Sequence, residues 1–115
     1  MNASFLHISI IVSSLESVVF YSRLGFKETK RVSRDNDIVV LMEGNGTKLE
    51  LFVDPSHPPR TTKSENIGLR YFSLRVEDFE SALDTLECGP IKTDWYGKRY
   101  CFIYDPDGLP IQLHE

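Results

Sequence analysis

The chain repeats itself. Laid over itself so that His7 falls on Tyr71, His7-Ile8-Ser9-Ile10-Ile11-Val12 covers Tyr71-Phe72-Ser73-Leu74-Arg75-Val76. Leu15-Glu16-Ser17-Val18-Val19 then covers Phe79-Glu80-Ser81-Ala82-Leu83, and Gly25 meets Gly89. After a slip of two residues, Gly46 meets Gly108 and Leu49-Glu50-Leu51 meets Ile111-Gln112-Leu113. Each copy is one supersecondary unit, marginal alone, so the copies are expected to pack together or against another chain. Pseudo-twofold symmetry lets equivalent polar positions serve one cleft. Those positions are His7 and Tyr71 on the first strand of each copy, and Glu50 and Gln112 on the last. The first copy alone keeps a His and Glu pair.

Local signals predict βαβββ twice, an α+β fold. Phe5–Val12, rich in β-branched residues, reads as a strand. Ser13 with Glu16 makes a capping-box pattern, so a helix should follow, with Leu15, Val18, Val19 and Ser22 at helical spacing and Gly25 just past its end. Phe26–Val32 is polar and alternating, as an edge strand should be. Asp37–Glu43 and Thr47–Val53 flank Gly44-Asn45-Gly46 and read as a hairpin. In the second copy, Leu69–Val76 is a strand and Asp78 caps a helix through Glu87. Ile91–Trp95, Arg99–Tyr104 and Leu109–His114 are strands, with a turn at Asp105-Pro106-Asp107-Gly108. Residues 1–115 are expected to form one domain, with modules over about 4–53 and 67–115 and a proline-bearing linker over 54–66.

Alternation sorts the side chains into faces. Ile8, Ile10, Val12, Leu49, Leu51 and Val53 share the helix-facing side; His7, Ser9, Ile11, Glu50 and Phe52 take the other. The second copy places Tyr71, Ser73, Arg75, Gln112 and His114 on that other side. Arg75, charged and on an expected interior strand, asks for a partner: an internal carboxylate, or a substrate carboxylate or phosphate. His114 is expected to be a frayed terminal side chain, with a donor role as the alternative. His57 is expected to be solvated.

A formal net charge of −4 disfavours nucleic acid as a partner. The basic cluster Lys27, Lys30, Arg31, Arg34 reads as a solvated edge and turn. Cys88 and Cys101 lack zinc-ligand spacing and read as reduced core residues of a cytoplasmic protein, with a disulfide disfavoured. The apolar run Phe5–Val12 is too short to span a bilayer, so no membrane partner is expected.

At these residues the chain resembles the vicinal oxygen chelate superfamily of glyoxalase I, bleomycin resistance proteins and extradiol dioxygenases. The signatures are His7-Ile8-Ser9-Ile10, Phe20-Tyr21-Ser22-Arg23-Leu24-Gly25-Phe26, Leu49-Glu50-Leu51-Phe52, Gly68-Leu69-Arg70-Tyr71, and Tyr104-Asp105-Pro106-Asp107-Gly108-Leu109-Pro110-Ile111-Gln112-Leu113. They span essentially the whole chain and look most like small bacterial glyoxalase-like proteins. The resemblance implies the glyoxalase/bleomycin resistance/dihydroxybiphenyl dioxygenase fold. It also implies one divalent metal held by His and Glu from both modules, and no organic cofactor. His7 and Glu50 match that pattern. Tyr71 stands where a second His is usual, and Gln112 where a second Glu is usual.

The implied site therefore has His7, Glu50 and Gln112 as metal ligands and Glu50 as the catalytic carboxylate. Tyr71, Arg75 and Phe52 are its substrate-binding residues. Its donors suit Ni, Zn, Mn or Fe, weakly held because an amide replaces a carboxylate and a phenol an imidazole. The implied chemistry is that of a lyase or isomerase on a small oxygen-chelating substrate. The alternative is a metal-free sequestration protein of the bleomycin-resistance type, with Tyr71, Phe52, Trp95 and Tyr100 as aromatic walls. A homodimer is expected, with modules exchanged so that His7 and Glu50 of one chain face Tyr71 and Gln112 of the other.

Overall fold

The computed structural model describes residues 1–61 and 66–115. Residues 62–65 of the expected linker lie outside the described residues. The chain divides into two compact units, Met1–Pro59 and Arg60–Glu115.

The first unit runs β1 (Ile8–Val12), α1 (Glu16–Arg23), β2 (Lys27–Ser33), β3 (Ile38–Gly44) and β4 (Thr47–Val53). Its sheet has the order β1-β4-β3-β2. β1 lies parallel to β4, with Ser9 opposite Glu50, and the other pairs are antiparallel. Leu49 and Leu51 of β4 are buried with Val40, Met42, Ile10 and Val12, so alternation builds the core on one side of the sheet. The Asn45–Gly46 loop joins β3 to β4, and both residues have positive φ (53° and 74°), the geometry of a type I′ hairpin turn. β2, polar and at the sheet edge, carries a register shift between Glu28 and Lys30 that blunts it.

The second unit repeats this as β5 (Phe72–Arg75), α2 (Phe79–Thr85), β6 (Lys92–Thr93), β7 (Arg99–Tyr104) and β8 (Pro110–His114), in the order β5-β8-β7-β6. β5 is parallel to β8, with Ser73 opposite Gln112. Asp78 caps α2 by accepting from the Ser81 N–H at 3.0 Å. Asp105 is buried in the turn before β8, its Oδ1 accepting from the N–H groups of Asp107 and Leu109 at 2.9 Å each.

Several local expectations shift. The first strand of each copy starts three residues later than expected, leaving Phe5, Leu6 and Leu69 exposed. The N-cap of α1 is Leu15, which has no side-chain cap, and just before it the Ser14 Oγ accepts from the Glu16 N–H at 3.2 Å. The buried stripe of α1 is Ser17, Val18 and Tyr21, while Leu15 and Val19 face outward. Tyr21 wins that place by packing edge-on to Phe20 and Phe26. α2 stops at Thr85, two residues short of Glu87. The strand expected over Ile91–Trp95 shrinks to Lys92–Thr93, because Asp94 draws the chain into a turn closed by its own N–H to the Lys98 carbonyl. β5, expected to be interior, is an edge strand.

Candidate functional site

In the first unit, the parallel β1–β4 pairing stands His7, Ser9 and Glu50 together on the side of the sheet away from the buried core. His7 Nε2 lies 3.4 Å from Glu50 Oε1, and the Ser9 hydroxyl donates to the same oxygen at 3.1 Å. The side chains of His7 and Glu50 are 31% and 24% exposed, so both stay reachable while their aim is set. The second unit copies the arrangement with neutral groups. The Ser73 hydroxyl donates to Gln112 Oε1 at 2.6 Å, and Gln112 Nε2 reaches toward the Tyr71 hydroxyl at 3.5 Å. Phe102, opposite Gln112 in register, supports Tyr71 by an edge-on ring contact with centroids 4.9 Å apart.

Phe52 is not a bare aromatic wall. The Arg34 guanidinium lies over its ring, 5.5 Å from the centroid. Asp37 holds Arg34 there by two hydrogen bonds of 2.6 Å. That hydrogen bonding keeps the Asp37 carboxyl below the usual carboxylate range. Arg34 was read from sequence as a solvated turn residue. The structure instead sets its charge near enough to Glu50 for the two to attract.

An open concavity of about 470 Å³ belongs to the second unit, lined by Tyr71, Thr93, Asp94, Trp95, Tyr100, Gln112 and His114. His114 is not frayed. Its Nε2 meets Asp94 Oδ2 at 2.8 Å, its Nδ1 meets the Glu115 carbonyl at 2.8 Å, and its ring lies parallel to Tyr100. Both ring nitrogens are thus engaged, one by a carboxylate and one by a carbonyl. In agreement, Asp94 first and the Glu115 carbonyl second hold the His114 pKa above its ordinary value. Asp94 itself is held low, first by the Lys98 backbone N–H and also by His114 and the Tyr96 N–H.

Arg75, in register with His114 on edge strand β5, is exposed and makes no hydrogen bond or ion pair among the described residues. It finds no carboxylate among the described residues. His57, by contrast, sits 3.4 Å from Asp54.

Among the described residues no three His, Cys, Asp or Glu side chains group so as to hold a metal ion. The first unit supplies one imidazole and one carboxylate; the second, at the equivalent posts, supplies an amide oxygen and a phenol. Taken by itself, each unit brings only two such donors to its posts. Sequence reasoning places Ser9 and Ser73 on this face but does not single them out as the partners of Glu50 and Gln112, although the repeat lays one serine over the other.

Two four-stranded sheets built as repeated βαβββ units, with paired polar posts on the first and last strand of each, define a glyoxalase-type protein. The chain belongs to the Glyoxalase/Bleomycin resistance protein/Dioxygenase superfamily, which it matches over residues 4–113. It is 39% identical to protein YwkD of Bacillus subtilis (strain 168) over 95% of this chain and 94% of the relative. A glyoxalase family protein from Enterococcus faecalis superposes with a TM-score of 0.87 at 30% identity, covering 97% of each chain. The trypanothione-dependent glyoxalase I of Leishmania major superposes with a TM-score of 0.73 at 27% identity, over 99% of this chain and 87% of that one.

Proposed function

We propose that this glyoxalase-like protein is a lyase or isomerase that uses a weakly held divalent ion on a small substrate with adjacent oxygens. The observation that carries the reading is the pair of matched posts. His7 and Glu50 are seated by Ser9, while Tyr71 and Gln112 are seated by Ser73. His7, Glu50 and Gln112 are the proposed ligands. When bound, the ion would polarise the substrate oxygens and stabilise enolate-like charge. Glu50 is the carboxylate available at these posts to move a proton, and Ser9 holds its Oε1 for that task. Tyr71 and Phe52 contact substrate, and Arg75, which has no partner among the described residues, takes an anionic substituent. Likeness to a glyoxalase I supports the reaction class.

Metal titration of the chelator-treated protein tests this. One equivalent of Ni, Zn, Mn or Fe should bind, and His7→Ala should abolish it. Unchanged metal content in His7→Ala would remove His7 from the ligand set.

A second reading is a metal-free binding protein of the bleomycin-resistance type. What favours it is the second unit's concavity, walled by Tyr71, Trp95 and Tyr100. A small molecule held equally well by chelator-treated protein and by His7→Ala would favour this reading over the first.

A further inference from the structure

In the concavity of the second unit the side-chain acceptors are engaged and the donors are open. Asp94 Oδ1 accepts from the Tyr96 and Lys98 N–H groups at 2.9 Å each, and Asp94 Oδ2 meets His114 Nε2 at 2.8 Å. Gln112 Oε1 accepts from the Ser73 hydroxyl at 2.6 Å. The donors of the same wall have no such partners. The hydroxyls of Thr93 and Tyr100 and the Trp95 indole N–H make no hydrogen bond among the described residues. The Tyr71 oxygen faces Gln112 Nε2, which leaves its own O–H to be given. An indole N–H can only donate. Arg75 adds a positive charge to this side. It is paired in register with His114, which lines the concavity, and alternation gives it the same face as Ser73. It is exposed, with no hydrogen bond or ion pair among the described residues.

Engaged acceptors and open donors select a ligand that accepts. We infer that the concavity of the second unit binds the oxyanion end of a small organic acid, a carboxylate or a phosphate. Arg75 at its edge supplies the opposite charge, and the hydroxyls of Tyr71, Thr93 and Tyr100 donate to the oxygens. A cationic ligand is disfavoured on the same grounds. It would meet Arg75 as a like charge, and the one carboxylate of the wall is already answered by His114 and two backbone N–H groups. A volume of about 470 Å³ is that of a small-molecule site. Resting on the reading of this concavity as such a site, the binding needs no metal.

The full chain, stripped of metal with a chelator and then desalted, is titrated while the fluorescence of Trp95 is followed. Trp95 is the chain's single tryptophan and part of the wall. The probes are inorganic phosphate and glycolate at constant ionic strength, with glycerol as a neutral probe. Phosphate or glycolate should give a saturable change and glycerol none, and the tighter anion names the ligand's end. Arg75→Gln should weaken that binding about tenfold. Tyr100→Phe, which removes a hydroxyl and keeps the ring, should weaken it by about as much. Saturation by glycerol without a response to either anion would overturn the inference while leaving the concavity a binding site. No response to any probe, in fluorescence and in the amide shifts of Thr93 and Tyr100 alike, would overturn both. Anion affinity unchanged in the two variants would also overturn the inference. None of these outcomes bears on whether His7 holds an ion, since no ion is present.

Discussion

Ser9 and Ser73 hold the same post one repeat apart: each stands in register with the polar residue of the neighbouring parallel strand and donates its hydroxyl to that residue's Oε1. The same hydrogen bond thus steadies a carboxylate in one unit and an amide in the other. A proposed ligand held in this way loses less freedom on binding an ion. Ser9→Ala is therefore expected to weaken metal binding about tenfold, the lower end of what such supporting bonds contribute. Calorimetric titration reads it, and an unchanged affinity would strip Ser9 of that role.

Restoring the family's usual donors in the second unit should strengthen the site. In the double variant Tyr71→His with Gln112→Glu, an imidazole and a charge replace a phenol and an amide. Metal affinity is expected to rise by roughly tenfold or more, on the scale at which ligand environment tunes such sites. A competition assay with a coloured chelator measures it. No gain would mean that these two posts do not face the ion.

The Asp94 turn should open in acid. Its folded pKa lies below the ordinary value, so its contribution is present above the unfolded pKa and is lost as pH falls through the folded one. The window is thus below about pH 4, the usual carboxylate value. Trp95, the chain's single tryptophan, sits in this turn stacked on Tyr96. Its fluorescence should change in that window in the wild type, and Asp94→Asn should show the acid-like signal already at neutral pH.

Glycines of the β3–β4 hairpin should differ in cost. A Cβ on Gly44 would run into the Gly25 carbonyl group and come within 2.9 Å of Phe26 Cα, all of it backbone that cannot swing aside. On Gly46 a Cβ meets nothing within 4 Å, leaving only the strain of φ +74°. Gly44→Ala is expected to cost about 3 kcal/mol, the top of the overpacking range, and Gly46→Ala about 1 kcal/mol. Urea denaturation gives both, and an equal cost would show that the Gly25 segment yields.

A homodimer is the proposed assembly. Ile11 on the site side is 48% exposed, and Phe5, Leu6, Ile67 and Leu69 are more exposed still. Covering such surface is favourable by roughly 25 cal/mol per Å². Sedimentation at micromolar concentration should show two chains; one chain would refute it. If the modules are exchanged, co-expressing a His7→Ala chain with a Gln112→Ala chain should regain part of the metal binding that each loses alone.

The fold was legible because alternation and repetition are redundant signals. Leu49, Leu51, Ile111 and Leu113 each announce a face twice, once in their own strand and once in the other copy. Boundaries were less legible where one side chain redirected the backbone. Asp94 converts an apparent strand into a turn, and nothing in Ile91–Trp95 alone reveals that its Oδ1 accepts from Tyr96 and Lys98. The posts His7, Glu50, Tyr71 and Gln112 could be read from their spacing. Arg34 over Phe52 and Asp94 on His114 could not, since both join residues distant in the chain through charge. The α1 stripe was misread because hydropathy favours Val19 over Ser17, whereas packing around Tyr21 sets the buried face.

The parallel pairings that seat these posts also set when the posts can form. The Ser9–Glu50 bond spans 41 residues and Ser73–Gln112 spans 39, while the β3–β4 hairpin closes over a two-residue loop. Closing the long span costs more chain entropy and yields nothing until both ends arrive. Each unit is therefore expected to fold from its hairpin outward, with β1 and β5 docking last. The proposed posts become the final piece of the chain's own schedule, and pulsed hydrogen exchange should find the amides of β1 and β5 protected after those of β3, β4, β7 and β8.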